Sequence, residues 1–226
     1  LSHLINNQLI WISNPKCASY SIEGALRNSK LKLEMYDPNV MEGHYHVPLN
    51  ACLEMWGKKE TICITRDWFS RWLSALNYVW DTIEYYTNHT PICKWEDIDN
   101  EFLYKTFDTD FLNLLHSQDE YGYGYKECFL KVVKEKDEPL KRNSNGMSTL
   151  VSQRFYKSNT NCTYEFDIKE IDKFVDFIED RFGERLILEQ SNKSTKRENK
   201  IIINDELKQW VWDNFEKRFD KRNALI

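Results

Sequence analysis

Residues 12–22, Ile-Ser-Asn-Pro-Lys-Cys-Ala-Ser-Tyr-Ser-Ile, constrain the fold more than any other stretch of the chain. They follow the apolar run Leu9-Ile10-Trp11-Ile12, the pattern of a buried strand, predicted over Leu9–Ser13. They lead into Ser21-Ile22-Glu23-Gly24-Ala25-Leu26-Arg27, whose apolar spacing predicts a helix over Ser19–Arg27. A strand, a tight loop with one lysine and several small residues, and a helix N-terminus together make a phosphate cradle. Backbone N–H groups and the positive end of the helix dipole face the anion, and Lys16 adds a full charge. The loop is not a Walker A loop, because it has no GxxxxGK[ST].

Composition narrows the classes. The 226 residues suffice for one sizeable α/β domain or two small ones, and 41% hydrophobic with 30% charged residues describes a folded chain, not a disordered one. A net charge of −5 argues against a general nucleic-acid binder. Nothing approaches the roughly 18 apolar residues of a membrane span, and Leu1 opens no signal-peptide pattern. The six cysteines (17, 52, 63, 93, 128 and 162) are widely spread without CxxC spacing, so reduced thiols are expected and zinc is not.

Further along, Lys32–Met35 and Tyr164–Phe166 read as short strands, and Thr61-Ile62-Cys63-Ile64-Thr65 as a central one. Asp67 is a good N-cap for a helix whose apolar positions are Phe69, Trp72, Leu73, Leu76, Val79 and Trp80. Further helices are predicted over Ile98–Leu115, from Ile168 to Phe182-Gly183, and over Asp205–Phe219. Leu186–Leu188 reads as another short strand, and 121–125, 141–148 and 191–200 as loops. Alternating strands and helices predict an α/β fold: one domain over 1–226, with a mostly parallel sheet flanked by helices.

Two more constellations carry chemistry. Arg66 falls at the carboxyl end of the central strand, with Ser74 eight residues later, about two turns into a helix. Ligands of open α/β sheets sit beyond the carboxyl ends of strands, where an arginine binds phosphate bidentately. Arg71 reads as a structural residue. Between the two motifs lies Gly43-His44-Tyr45-His46-Val47-Pro48, with two of the five histidines of the chain. A near-neutral imidazole suits proton transfer from a hydroxyl, and either His44 or His46 can supply it. His-x-His also binds metals, but no carboxylate or thiolate cluster accompanies it in the sequence, so no metal is expected. Tyr121, Tyr123 and Tyr125 are either a plain surface loop or a stacking platform for sugar or adenine.

Pro-Lys-x-Ala-Ser-x-Ser at 15–21 resembles the 5′-phosphosulfate loop of sulfotransferases that use 3′-phosphoadenosine 5′-phosphosulfate (PAPS). Arg-Asp-x-x-x-Arg-x-x-Ser at 66–74 is similar to the 3′-phosphate motif of the same family. His-x-His-Val at 44–47 resembles a segment of uronosyl 2-O-sulfotransferases, and Asn192-Lys193-Ser194 resembles the C-terminal loop of carbohydrate sulfotransferases. The four motifs occur in family order. One departure is Cys17, where the family often has Thr or a small residue. A thiol beside Lys16 and a helix N-terminus is expected to have a lowered pKa and to react with alkylating reagents.

The resemblance implies a P-loop-NTPase-like sulfotransferase fold and sulfuryl transfer from PAPS to an acceptor hydroxyl, foremost on a carbohydrate. It implies that Lys16 binds the phosphosulfate and steadies the leaving oxygen. The loop residues Cys17, Ala18, Ser19, Tyr20, Ser21 and Ile22 would hold the 5′-phosphate. Arg66 and Ser74 would take the 3′-phosphate, Lys193 and Ser194 would close over the cofactor, and His46 would be the base. A P-loop-type kinase and an inactive nucleotide- or glycan-binding module are the alternatives. A microbial or viral source would place the chain in the cytoplasm, and an excised catalytic domain in the Golgi lumen.

Overall fold

The computed structural model describes residues 2–35, 46–117, 123–136, 145–158, 160–189 and 198–219. It begins with a hairpin that periodicity does not announce. β1 (His3–Ile5) pairs antiparallel with β2 (Leu9–Ile12), His3 opposite Trp11. Asn6 and Asn7 both take left-handed backbone, at φ 48° and 58°, and Gln8 N–H donates to the Ile5 carbonyl at 2.9 Å. Two consecutive left-handed residues are what a type I′ turn requires, and Asn tolerates them best after Gly.

From β2 the chain passes through α1 (Ser19–Arg27) to β3 (Leu33–Met35), which pairs with the far side of β1. After α2 (Leu49–Trp56) it returns as β4 (Glu60–Thr65), which lies parallel to β2 on the other side. β5 (Tyr164–Asp167) then adds parallel to β4. The order is β3-β1-β2-β4-β5. The chain is therefore α/β, but the expected mostly parallel sheet is corrected to a mixed one. β1 runs opposite to both of its neighbours because a tight hairpin, not a crossover, inserts it between β2 and β3.

The strands are held by what they bury. Leu9, Trp11, Ile62 and Ile64 alternate onto one face and pack with Ile22 and Leu26 of α1. α8 (Ile171–Phe182) adds Phe174, Val175 and Ile178 to the same cluster and ends at Gly183, whose φ of 70° is the left-handed helix stop. Ile10, Ile12 and Cys63 point the other way and are also buried. Leu186–Leu188 forms no strand.

Described residues of 1–38, 45–71 and 153–193, which include the whole sheet, make one compact unit. Described residues of 72–152 and 194–219 belong to a second, helical one. The division falls within α3 (Trp68–Tyr86). The predicted helix over 98–115 is two in fact, α4 (Asn100–Thr106) and α5 (Thr109–Leu115). Asp99 and Asp108 each cap one, accepting from Phe102 N–H at 2.8 Å and Phe111 N–H at 2.7 Å. α6 (Tyr123–Val132) stands where part of the Tyr-Gly repeat was expected to loop. The predicted last helix is α9 (Asp205–Val211), continued by a π turn over Trp212–Glu216 and a 3₁₀ turn to Phe219. Its rings join the core of this unit: Trp72 lies 5.4 Å from Phe215, and Tyr104 4.9 Å from Trp210, between centroids. Among the described residues no helix is long and apolar enough to cross a membrane.

Candidate anion site at the carboxyl ends of β2 and β4

The parallel pair β2 and β4 ends at one edge of the sheet, and the chain leaves β2 toward β3 on one side but reaches β4 on the other. Open α/β sheets bind ligands beyond the carboxyl ends of their strands, where the strand order reverses in this way. Both loops that carry charged candidates, β2–α1 with Lys16 and β4–α3 with Arg66, leave from this edge.

The β2–α1 loop is strained. Lys16 and Ala18, neither a glycine, sit at φ 62° and 57° on either side of Cys17. A left-handed residue with a Cβ costs roughly 1–2 kcal/mol, and strain of this kind persists where surrounding structure imposes it. Here Asn14 is one restraint. It is 1% exposed, and its Nδ2 donates to the Ile64 carbonyl of β4 at 2.8 Å. Cys17 is a second, with its backbone N–H donating to the Asn14 carbonyl at 3.4 Å and its thiol to Gln153 Oε1 at 3.6 Å. Alternating left-handed residues turn backbone N–H groups into a common concavity.

Two helix N-termini meet this edge, and they differ. At α3, Asp67 caps its own helix, accepting from Ser70 N–H at 2.9 Å and from Ser70 Oγ–H at 2.8 Å. At α1 the N-cap is Ala18, whose side chain has no oxygen to offer, and the first turn holds no acidic residue. The positive end of α1 is thus not answered by its own cap. Ile22 N–H is committed to the Ala18 carbonyl at 3.1 Å, as Cys17 N–H is to Asn14. The first-turn positions are Ser19, Tyr20 and Ser21. Tyr20 is 67% exposed there.

Arg66 reaches the same loop: its Nη1 donates to the Lys16 carbonyl at 3.4 Å. Its backbone is clamped by Gln153, the first residue of α7 (Gln153–Tyr156). Gln153 Oε1 accepts from Arg66 N–H at 3.2 Å, and Nε2 donates to the Arg66 carbonyl at 2.7 Å. Arg71 is buried. Ser74 is a half-buried residue of α3, in the second unit.

His46 lies against the end of β2. Its Nδ1 is 2.7 Å from the Ser13 carbonyl and 3.2 Å from Ser13 Oγ, and Tyr156 meets its ring edge-on at 5.8 Å. A carbonyl only accepts, so Nδ1 carries the proton and Nε2 presents the lone pair. Burial of the ring pushes the His46 pKa down to about 3, and the Lys16 charge acts in the same direction. The imidazole is neutral at every physiological pH.

Lys16, Arg66 and the N-terminus of α1 thus gather at one edge with His46. His44, Lys193 and Ser194 lie outside the described residues. The expected reactive thiol is corrected: Cys17 is 1% exposed, its side chain packed in the core cluster below the loop, beyond reach of a reagent in solvent. Sequence reasoning missed Asn14 and Gln153. A polar Asn directly after a buried strand is a local signal. Gln153 has none, since it arrives from 87 residues beyond Arg66.

No protein-family model matches the chain, no curated protein matches it, and no solved structure matches it.

Proposed function

We propose that this chain is a PAPS-dependent sulfotransferase with a P-loop-NTPase-like nucleotide site, acting on an acceptor hydroxyl, foremost of a carbohydrate. The observation that carries the proposal is the convergence of Lys16 and Arg66 on the strained loop before the uncapped α1, at the carboxyl ends of β2 and β4. Two cations and a helix N-terminus suit a ligand with phosphates at both ends of a nucleoside. The acceptor class rests on the His-x-His-Val resemblance alone.

In this reading Lys16 and the first-turn N–H groups of α1 hold the 5′-phosphosulfate. Arg66, its backbone fixed by Gln153, takes the 3′-phosphate. The acceptor oxygen attacks sulfur in line, and the bond from sulfur to the bridging phosphate oxygen breaks. Lys16 steadies the charge that develops on that oxygen, and His46 Nε2 receives the hydroxyl proton. A pKa of about 3 leaves His46 always unprotonated but weakly basic. A bound dianion beside it raises its basicity during turnover. The chemistry uses positioning and fixed charge, as phosphoryl transfer does.

Incubation with PAPS and a panel of carbohydrate, tyrosine-peptide and small phenol acceptors tests the proposal. Acceptor-dependent release of adenosine 3′,5′-bisphosphate, lost in Lys16→Ala, supports it. PAPS that binds without release under any acceptor indicates a binding module, and ATP-dependent phosphorylation of an acceptor indicates a kinase.

A further inference from the structure

Away from the anion site, the pairing of β4 with β5 sets Cys63 directly opposite Glu165. Cys162 stands three residues before Glu165, at the entry to β5. The sulfur atoms of Cys63 and Cys162 and a carboxylate oxygen of Glu165 all lie within 4.8 Å of one another. We propose that these three side chains form a binding site for a thiophilic divalent cation of the zinc type, with water completing a tetrahedral shell.

Geometry comes first. Zinc–sulfur bonds of about 2.3 Å and zinc–oxygen bonds of about 2.1 Å put neighbouring tetrahedral ligand atoms roughly 3.5–3.8 Å apart. The observed bound of 4.8 Å lies about 1 Å above those edges. Two thiolates with one carboxylate are soft enough to select zinc over magnesium or calcium.

The ligands are also braced. Glu165 Oε1 accepts from Cys162 N–H at 2.8 Å, which ties two ligands into one turn. Thr61 and Thr163 bond twice across the strands, Thr61 N–H to Thr163 Oγ1 at 3.0 Å and Thr163 N–H to Thr61 Oγ1 at 2.9 Å. These bonds hold the start of β5 in register beside Cys63. Outer partners of this kind orient metal ligands and sharpen affinity.

Charge closes the account. Two thiolates, one carboxylate and a divalent cation sum to −1. Lys157 Nζ sits 2.9 Å from both Glu165 oxygens and brings the assembly to neutrality. A neutral assembly is the kind a half-buried position tolerates. Cys63 and Cys162 are 0% and 6% exposed, while Glu165 is exposed, so a cation enters from the Glu165 side. Binding forms two metal–sulfur bonds and one metal–oxygen bond. Two thiol protons leave to buffer, and nothing is oxidised or reduced.

The test uses the full chain, reduced, stripped with a chelator, and titrated with Cd²⁺ and with Zn²⁺ against a chromophoric chelator. The expected result is one ion per chain with a thiolate-to-cadmium charge-transfer band. Loss of an outer partner alone costs about 10–100-fold in affinity, so loss of a ligand in Cys63→Ser, Cys162→Ser or Glu165→Gln should cost at least that much. Cys128→Ser, a buried thiol bonded to the Phe111 carbonyl, should bind as the parent does. If Cys63→Ser fails to fold, Cys162→Ser and Glu165→Gln decide. Unchanged binding in those two variants overturns the site. So does a reduced parent that takes up no ion, including one whose Cys63 and Cys162 merely form a disulfide on mild oxidation. These outcomes are independent of sulfuryl transfer.

Discussion

The side-chain amide of Gln153 grips both backbone groups of Arg66, donating to its carbonyl at 2.7 Å and accepting from its N–H at 3.2 Å. The same Oε1 also accepts the Cys17 thiol. One side chain from α7 therefore fixes the ends of the two loops that carry Arg66 and Lys16. Gln153→Ala is expected to leave those backbone groups without their partner, costing about 1–3 kcal/mol of stability. Chemical denaturation measures that loss. Cofactor affinity should fall about 10-fold as Arg66 is released, whereas Gln153→Glu cannot donate to the carbonyl and should not rescue it.

Strain in the β2–α1 loop makes a prediction of the opposite sign. Ala18 holds a left-handed backbone at φ 57°, which glycine adopts without penalty. Ala18→Gly should therefore raise stability by up to ~1 kcal/mol, after the greater freedom of glycine in the unfolded chain is subtracted. Equal or lower stability in a denaturation series would mean that the loop is not strained at this residue.

Acid should weaken the protein through two histidines. Burial lowers the His46 pKa from 6.5 to about 3, and burial likewise lowers His3 to about 4. Between those values and 6.5 the unfolded chain binds protons that the folded chain refuses, so stability falls as pH drops through this window. His46→Gln and His3→Gln should each flatten the slope of unfolding free energy against pH between about 4 and 6.5. A slope unchanged in both variants would contradict the burial account.

Turnover should respond to Lys16 and His46 differently from affinity. Lys16→Ala and His46→Ala are each expected to lower kcat by about two or more orders of magnitude, as loss of a charge-stabilising or proton-accepting group does. Arg66→Ala should act mainly on the KM for PAPS. Steady-state kinetics with a working acceptor separates the two classes. Near-normal kcat in His46→Ala would move the base elsewhere.

Much of this architecture is legible in local sequence. β2, α1, β4 and α8 announce themselves through apolar runs, periodicity and the Gly183 stop, and Asp67 signals the start of α3. β1 is too short at three residues for periodicity, and its signal lies in the Asn6-Asn7 turn. α6 was hidden because Gly124 reads as a loop residue. There the glycine permits a close approach, since a Cβ would collide with the Leu114 carbonyl of α5. Lys16 and Arg66 are readable because each follows its own strand. Gln153, and the grouping of Cys63 with Cys162 and Glu165, arise only from pairing between distant segments.

On the proposed function, Lys16 and Arg66 form one site for a nucleotide with phosphates at both ends. A thermal-shift titration with adenosine 3′,5′-bisphosphate, and separately with ATP and Mg²⁺, tests it on the parent and on Arg66→Ala. A ligand at 100 times its dissociation constant stabilises by about 2.7 kcal/mol, which moves Tm by several degrees. A shift with the bisphosphate, absent with ATP and lost in Arg66→Ala, is the predicted result. A shift with ATP and Mg²⁺ but none with the bisphosphate would contradict the account and point to phosphoryl transfer.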